Sequence, residues 1–142
     1  MSEKVLLVDD EKDFLDIMSE RMEARGMTVK TADSADQALK ILEKESFDAI
    51  VMDFKMPGMD GIQALKNIKT RKPELQIILL TGYATVEKTV EAMKIGATDL
   101  LEKPADLEAL AARIKQAKAE KMLLVEKKTE DKIKDILQRF GG

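Results

Sequence analysis

The 142-residue sequence contains no cysteine, no histidine and no tryptophan, with only three prolines and one tyrosine. Without cysteine there are no disulfides, no thiolate nucleophile and no cysteine zinc site. Without histidine there is no Ser-His triad, no imidazole metal cluster and no histidine of its own from which phosphate could be donated. An apolar run of about 20 residues, the length of a membrane span, is also missing. Met1 to Lys4 leads into an apolar strand with no signal-type segment. The expected compartment is the cytoplasm, with no membrane partner. Nor is there an excess of positive charge: 24 Lys and Arg against 27 Asp and Glu give a net charge of -3. That balance describes a mixed surface and argues against direct nucleic-acid binding.

What is present suffices for one domain plus a short extension, since 44% hydrophobic residues can fill a core at this length. Apolar runs and helical periodicities alternate along the chain. Val5 to Val8 reads as a buried strand ending at Asp9 and Asp10, and Phe14, Leu15, Met18 and Met22 follow at helical spacing until Gly26. Met27 to Thr31 alternates like an edge strand. Ser34 and Gln37 then form a capping box for a helix carrying Ala35, Ala38, Leu39 and Leu42. Ile50, Val51 and Met52 make a strand covered on both faces that ends on Asp53, with Met56, Pro57 and Gly58 turning the chain away.

The remaining units repeat this plan. Asp60 is placed to cap a helix with Ile62, Leu65 and Ile68 inside, and Leu75 to Thr81 is a strand ending in a hydroxyl. Val86, Val90 and Met93 line one side of the next helix, which Gly96 ends. A short strand from Asp99 then runs to Lys103 and Pro104, and Asp106 caps a last helix with Leu107, Leu110, Ala111 and Ile114 inward. Five strand-helix pairs predict an α/β fold, a doubly wound five-stranded parallel sheet with helices on both faces. Strand order is not written in periodicity. The order 2-1-3-4-5 is one such sheet, and it would bring Asp9, Asp10 and Asp53 together at the carboxyl rim, where such folds bind ligands.

Two carboxylates about 5 Å apart at an effective dielectric near 20 repel by roughly 3 kcal/mol, so three in one pocket need a cation. An all-oxygen set with room for water suits Mg²⁺ completed by phosphate oxygens. Lys103 would add positive charge and Thr81 a hydroxyl donor, which together describe a phosphoryl site. Singly, each residue has a plainer role: Asp9 and Asp10 as helix caps, Asp53 as a turn residue, Thr81 as a strand end, Lys103 as a solvated lysine. Their shared position at the carboxyl ends of strands is what favours a site.

Val8-Asp9-Asp10, Asp53 to Gly61, Leu80 to Ala84, Gly96-Ala97 and Lys103-Pro104 together resemble the receiver domains of two-component response regulators, over about Val5 to Ala117. The resemblance implies the flavodoxin-like order 2-1-3-4-5 and a receiver at 1–120 followed by a helical extension at 121–142. It implies that Asp53 accepts a phosphoryl group from a sensor histidine kinase or a histidine phosphotransfer protein. Asp10 and Asp53 would bind Mg²⁺ directly, Asp9 largely through water, and the carbonyl of Lys55 would be a further ligand. Thr81 and Lys103 would contact the phosphoryl oxygens, and the Lys103-Pro104 bond would be cis. The protein would be a switch that catalyses its own phosphorylation and slow dephosphorylation, signalling through the helix 4, strand 5 and helix 5 face to an unidentified output.

The chain departs from the family at Leu100, where many receivers carry Tyr or Phe; either a smaller rearrangement suffices or Tyr83 shares the role. Lys55 and Tyr83 flank the expected approach of water, which predicts slow hydrolysis of the phosphorylated state. The charged tail from Lys118 to Arg139 either extends the last helix or forms a short helix capped by Thr129, packing on the domain or on a second copy as a homodimer. Heptad spacing holds over Leu110, Ala117 and Leu124 but meets Asp131. Two other readings stand beside the switch: a Mg²⁺-dependent phosphatase with an aspartyl nucleophile, and an unphosphorylated interaction module. A flavin-binding flavodoxin is disfavoured by the acidic loop after strand 1.

Overall fold

In a computed structural model of the chain, residues 2–56, 59–82, 85–104 and 106–140 are described, with the backbone alone for 55, 56, 59 and 60. Five strands, β1 (Lys4–Val8), β2 (Thr28–Ala32), β3 (Ala49–Asp53), β4 (Gln76–Thr81) and β5 (Asp99–Glu102), form one parallel sheet in the order β2-β1-β3-β4-β5. This is the flavodoxin-like order. The helices are α1 (Lys12–Ala24), α2 (Ala35–Lys44), α3 (Gly61–Arg71), α4 (Val86–Ile95) and α5 (Leu107–Phe140). A short antiparallel pairing of Lys55–Met56 with Met59–Asp60 lies between β3 and α3; the turn expected at Pro57 and Gly58 lies outside the described residues.

Side-chain alternation along the strands sorts the core into two layers. Leu6, Val8, Ile50, Met52, Ile77 and Leu79 face α2, α3 and α4. Val5, Leu7, Ala49, Val51, Ile78 and Leu80 face α1 and α5. β3 and β4 are covered on both sides and wholly buried, so their interiors, Ile50 to Met52 and Ile77 to Leu80, read as unbroken apolar runs, with the polar Asp53, Gln76 and Thr81 at strand ends. Each fully buried aliphatic side chain contributes about 1.5–3 kcal/mol.

Local signals set the helix ends. Gly26 at φ 88° closes α1 in a Schellman arrangement, its N–H donating to Glu23 O and that of Met27 to Met22 O. Ser34 Oγ accepts from Gln37 N–H as a cap should, while Gln37 Oε1 accepts from Asp33 N–H, one residue earlier than a capping box requires. Asp106 Oδ1 accepts from Glu108 N–H at the start of α5.

Two features differ from simple amphipathic expectation. The apolar side of α4 faces outward: Val86 is 81% exposed, Val90 and Met93 are also exposed, and Ala92 is the residue of α4 that enters the core. The tail forms neither a separate helix capped by Thr129 nor a helix folded back on the sheet. It continues α5 for 34 residues in all, a rod of about 50 Å. Thr129 Oγ1 donates to Val125 O within that helix instead of capping one. The rod passes the amino-terminal rim of the sheet, where Lys121 Nζ donates to Phe47 O at 2.6 Å and Lys128 pairs with Glu74 at 3.0 Å. Beyond that Ile133, Ile136, Leu137 and Phe140 are exposed. No helix among the described residues is long and apolar enough to cross a membrane.

Candidate functional site

Strand order and register carry five side chains to one rim. Val8 is level with Met52 and Asp53 with Leu80, so Asp9 follows β1 beside the last residue of β3. Thr81 is level with Glu102, and Lys103 N–H donates to Thr81 O at 2.7 Å, extending the pairing one residue beyond β5. The Lys103-Pro104 peptide bond is cis.

Carboxylate oxygens of Asp9, Asp10 and Asp53 lie within 4.8 Å of one another. Asp9 is 1% exposed, Asp53 is buried, and Asp10 opens to solvent. Asp9 does not cap α1: the capping position is held by Glu11, which makes no side-chain cap bond, and Asp9 Oδ1 instead accepts from Glu11 N–H at 2.9 Å. Its second oxygen accepts from Lys103 Nζ at 2.6 Å, and the same ammonium reaches Asp53 Oδ2 at 3.2 Å. Burial pushes the Lys103 ammonium down, but hydrogen bonds to Asp9 and Asp53 and their charges outweigh it and hold Lys103 above the ordinary lysine range.

Three carboxylates against one ammonium leave the pocket net negative. Hard oxygen donors this close, one exposed at the mouth, fit a hard divalent cation, and the sequence has no cysteine or histidine to compete for it. Chemically the set can hold such a cation, present a carboxylate oxygen of Asp53 as a nucleophile, and offer an ammonium to an anion bound beside it.

Sequence reasoning named all five residues of this rim, and the structure brings Asp9, Asp10, Asp53 and Lys103 into contact range with Thr81 on the neighbouring strand end. Lys55 lies two residues beyond Asp53, its backbone paired with Asp60. Tyr83 lies outside the described residues. Leu100 is half-buried and packs against the core layer that faces α2, α3 and α4. Sequence reasoning missed Phe14, whose ring centroid lies 4.3 Å from Lys103 Nζ. Its helical spacing marked it only as a core residue, since nothing in a linear pattern pairs positions 14 and 103.

The family model for the response regulator receiver domain matches residues 5–115. The response regulator protein FleR of Pseudomonas aeruginosa is 43% identical over 110 residues, a span covering 78% of this chain and 23% of that protein. The chain thus spans about a quarter of the length of FleR and of the Escherichia coli regulator ZraR, and 55% of the regulator FixJ of Bradyrhizobium diazoefficiens. A receiver domain protein structure from Clostridium thermocellum superposes with a TM-score of 0.81 at 35% identity, over 86% of this chain and 98% of that one. The beryllofluoride-activated NtrC4 receiver domain dimer does so with a TM-score of 0.78 at 36% identity, over 83% and 98%. The acids gathered at one rim, the lysine among them and these similarities lead to one assignment: the chain belongs to the response regulator receiver domains.

Proposed function

We propose that the chain is a phosphorylation-controlled switch in which Asp53 takes a phosphoryl group from the phosphohistidine of a sensor histidine kinase or a histidine phosphotransfer protein. The observation that carries this is the convergence of Asp9, Asp10 and Asp53 within 4.8 Å, with Lys103 Nζ between Asp9 and Asp53 at 2.6 and 3.2 Å. Asp53 attacks phosphorus in line, the P–N bond breaks, and the donor imidazole leaves with the bonding electrons. Asp10, Asp53 and the carbonyl of Lys55 would hold Mg²⁺, and Asp9 would contribute largely through water. When bound, Mg²⁺ supplies neutralisation of the charge gathering on the phosphoryl oxygens. Lys103 and the Thr81 hydroxyl contact those oxygens from the β4 and β5 side. Self-catalysis thus amounts to positioning and charge compensation, and hydrolysis of the acyl phosphate is slow.

The acyl phosphate adds about 1.5–2 negative charges to the rim. The shift it triggers passes from Thr81 into α4, β5 and α5, whose face bears the exposed Val86, Val90 and Met93. Leu100, partly buried against the core, stands where many receivers carry an aromatic rotor, so either a smaller rearrangement suffices or Tyr83 takes over part of that role. Residues 1–120 serve as the receiver, and the part of α5 from 121 to 140 serves as a helical extension toward an output partner. The exposed apolar side chains of the extension support a homodimer, as does the dimer in the NtrC4 structure. The protein acts in the cytoplasm. Incubation with a small phosphodonor, with and without Mg²⁺, followed by intact mass measurement tests this reading. Stoichiometric, metal-dependent labelling lost in Asp53→Asn supports it. Turnover without accumulation selects an aspartyl phosphatase instead.

A further inference from the structure

We infer that Phe14 is a positioning residue for Lys103, holding its ammonium by the face of the ring while the carboxylates beside it change partners. The inference rests on the reading that Lys103 meets the phosphoryl oxygens. The ring centroid lies 4.3 Å from Nζ, within the range in which an aromatic face attracts a cation. The ring is itself fixed: Phe14 is half-buried on α1 and packs on the core layer shared with α5.

Lysine reaches the site on a stem of four rotatable bonds, and two anions account for its present position. Those anions are the groups whose charge is altered by a divalent cation or by phosphorylation of Asp53. When they turn away, the ring is the neighbour whose attraction for the ammonium does not change. An aliphatic side chain in the same place would fill the volume without that attraction. Phe14 therefore limits the excursions of the ammonium from the rim and shortens its search for the phosphoryl oxygens.

The test uses the full chain with Phe14 replaced by Leu and, separately, by mono-, di- and trifluorophenylalanine, which keep the shape of the ring while withdrawing electron density from its face. Acetyl phosphate with saturating Mg²⁺ is the phosphodonor, and the rate of Asp53 labelling is followed by mass. Ring-current shifts of the Lys103 Hε protons report the contact, and thermal midpoints report folding. The expected result is a rate that falls stepwise with fluorine number, reaching about three- to tenfold in the trifluoro and Leu variants, with midpoints of the fluorinated series unchanged. The Hε shift should collapse in Phe14→Leu. Equal rates across the fluorinated series would overturn the inference and leave Phe14 a packing residue, as would an Hε shift unmoved in Phe14→Leu. If Lys103→Met labels as fast as the parent, the role of Lys103 itself fails and the role of Phe14 fails with it, a result distinguishable because the Hε shift in the parent persists.

Discussion

Lys103 Nζ stands 2.6 Å from Asp9 Oδ2 and 3.2 Å from Asp53 Oδ2, so a single lysine occupies the position of counter-ion to two of the three acids. A divalent cation drawn to the same carboxylates meets that charge already in place. Lys103→Met should therefore bind Mg²⁺ more tightly, by about tenfold after allowance for screening at a partly open site. Phosphorylation should nevertheless slow by about a hundredfold, because the charge aimed at the phosphoryl oxygens is gone. Titration calorimetry and labelling kinetics on one sample would check the opposed signs. A fall in both quantities would count against competition between lysine and metal.

Gly61 opens α3 where a Cβ would lie 2.1 Å from the carbonyl oxygen of Phe54. Backbone cannot yield as a flexible side chain can, so Gly61→Ala should cost about 2–4 kcal/mol and displace the segment that follows Asp53. Gly82→Ala is the control, since a Cβ there meets nothing within 4 Å, and its stability should stay within about 0.5 kcal/mol of the parent. Thermal unfolding of the two variants side by side provides the comparison.

Much of this fold and site was legible because burial on both faces forces unbroken apolar runs, and such runs mark β1, β3 and β4 with Asp9, Asp53 and Thr81 at or just past their ends. Three kinds of information were not legible. Periodicity identifies an apolar stripe without saying what covers it, so Val86, Val90 and Met93 read as one helical face though they lie on the surface. A hydroxyl in a helix and a hydroxyl at its start also look alike in sequence. Thr129 bonds back to Val125 O, and with no glycine or proline between Pro104 and Gly141 nothing interrupts α5 there. The ring of Phe14 over Lys103 is a tertiary contact across 89 positions, the difference of the two residue numbers, and no local pattern encodes it.

Thr81 is 3% exposed at the end of β4, five residues before α4 begins. Thr81→Val keeps the volume and removes the hydroxyl. It should leave Asp53 labelling within about threefold of the parent while abolishing the phosphorylation-dependent change in α4. Hydrogen exchange over residues 86–95, with and without phosphodonor, is the measurement. A full response in the variant would mean that the signal leaves the site by another route.

Ile133, Ile136, Leu137 and Phe140 are all more than half exposed at the end of α5, an arrangement that favours association of two rods. Sedimentation of the full chain should show a concentration-dependent dimer, and Ile133→Glu with Ile136→Glu should weaken it by at least about tenfold without altering Asp53 labelling. A monomer at all concentrations would remove the homodimer and leave these residues to an output partner.

The base of the same rod is held by a pair that responds to acid. Glu74 is kept below the ordinary carboxylate range first by its own backbone N–H and then by Lys128, at 3.0 Å. A depressed folded value contributes stability that is present above the unfolded value near 4.5 and is lost as pH falls through the folded one. Lys128 is largely solvated, so its share is under about 1 kcal/mol and shrinks with salt. At pH 7 and low salt, Lys128→Met should lower the thermal midpoint slightly and increase amide exchange around residues 121–128. Once pH has fallen through the depressed folded value, Glu74 is protonated in both proteins and the difference should vanish. A gap between parent and variant that persists down the whole acid limb of the titration would show that Lys128 steadies the rod through its aliphatic stem on Leu124 and Pro73, which line the same groove, and not through charge.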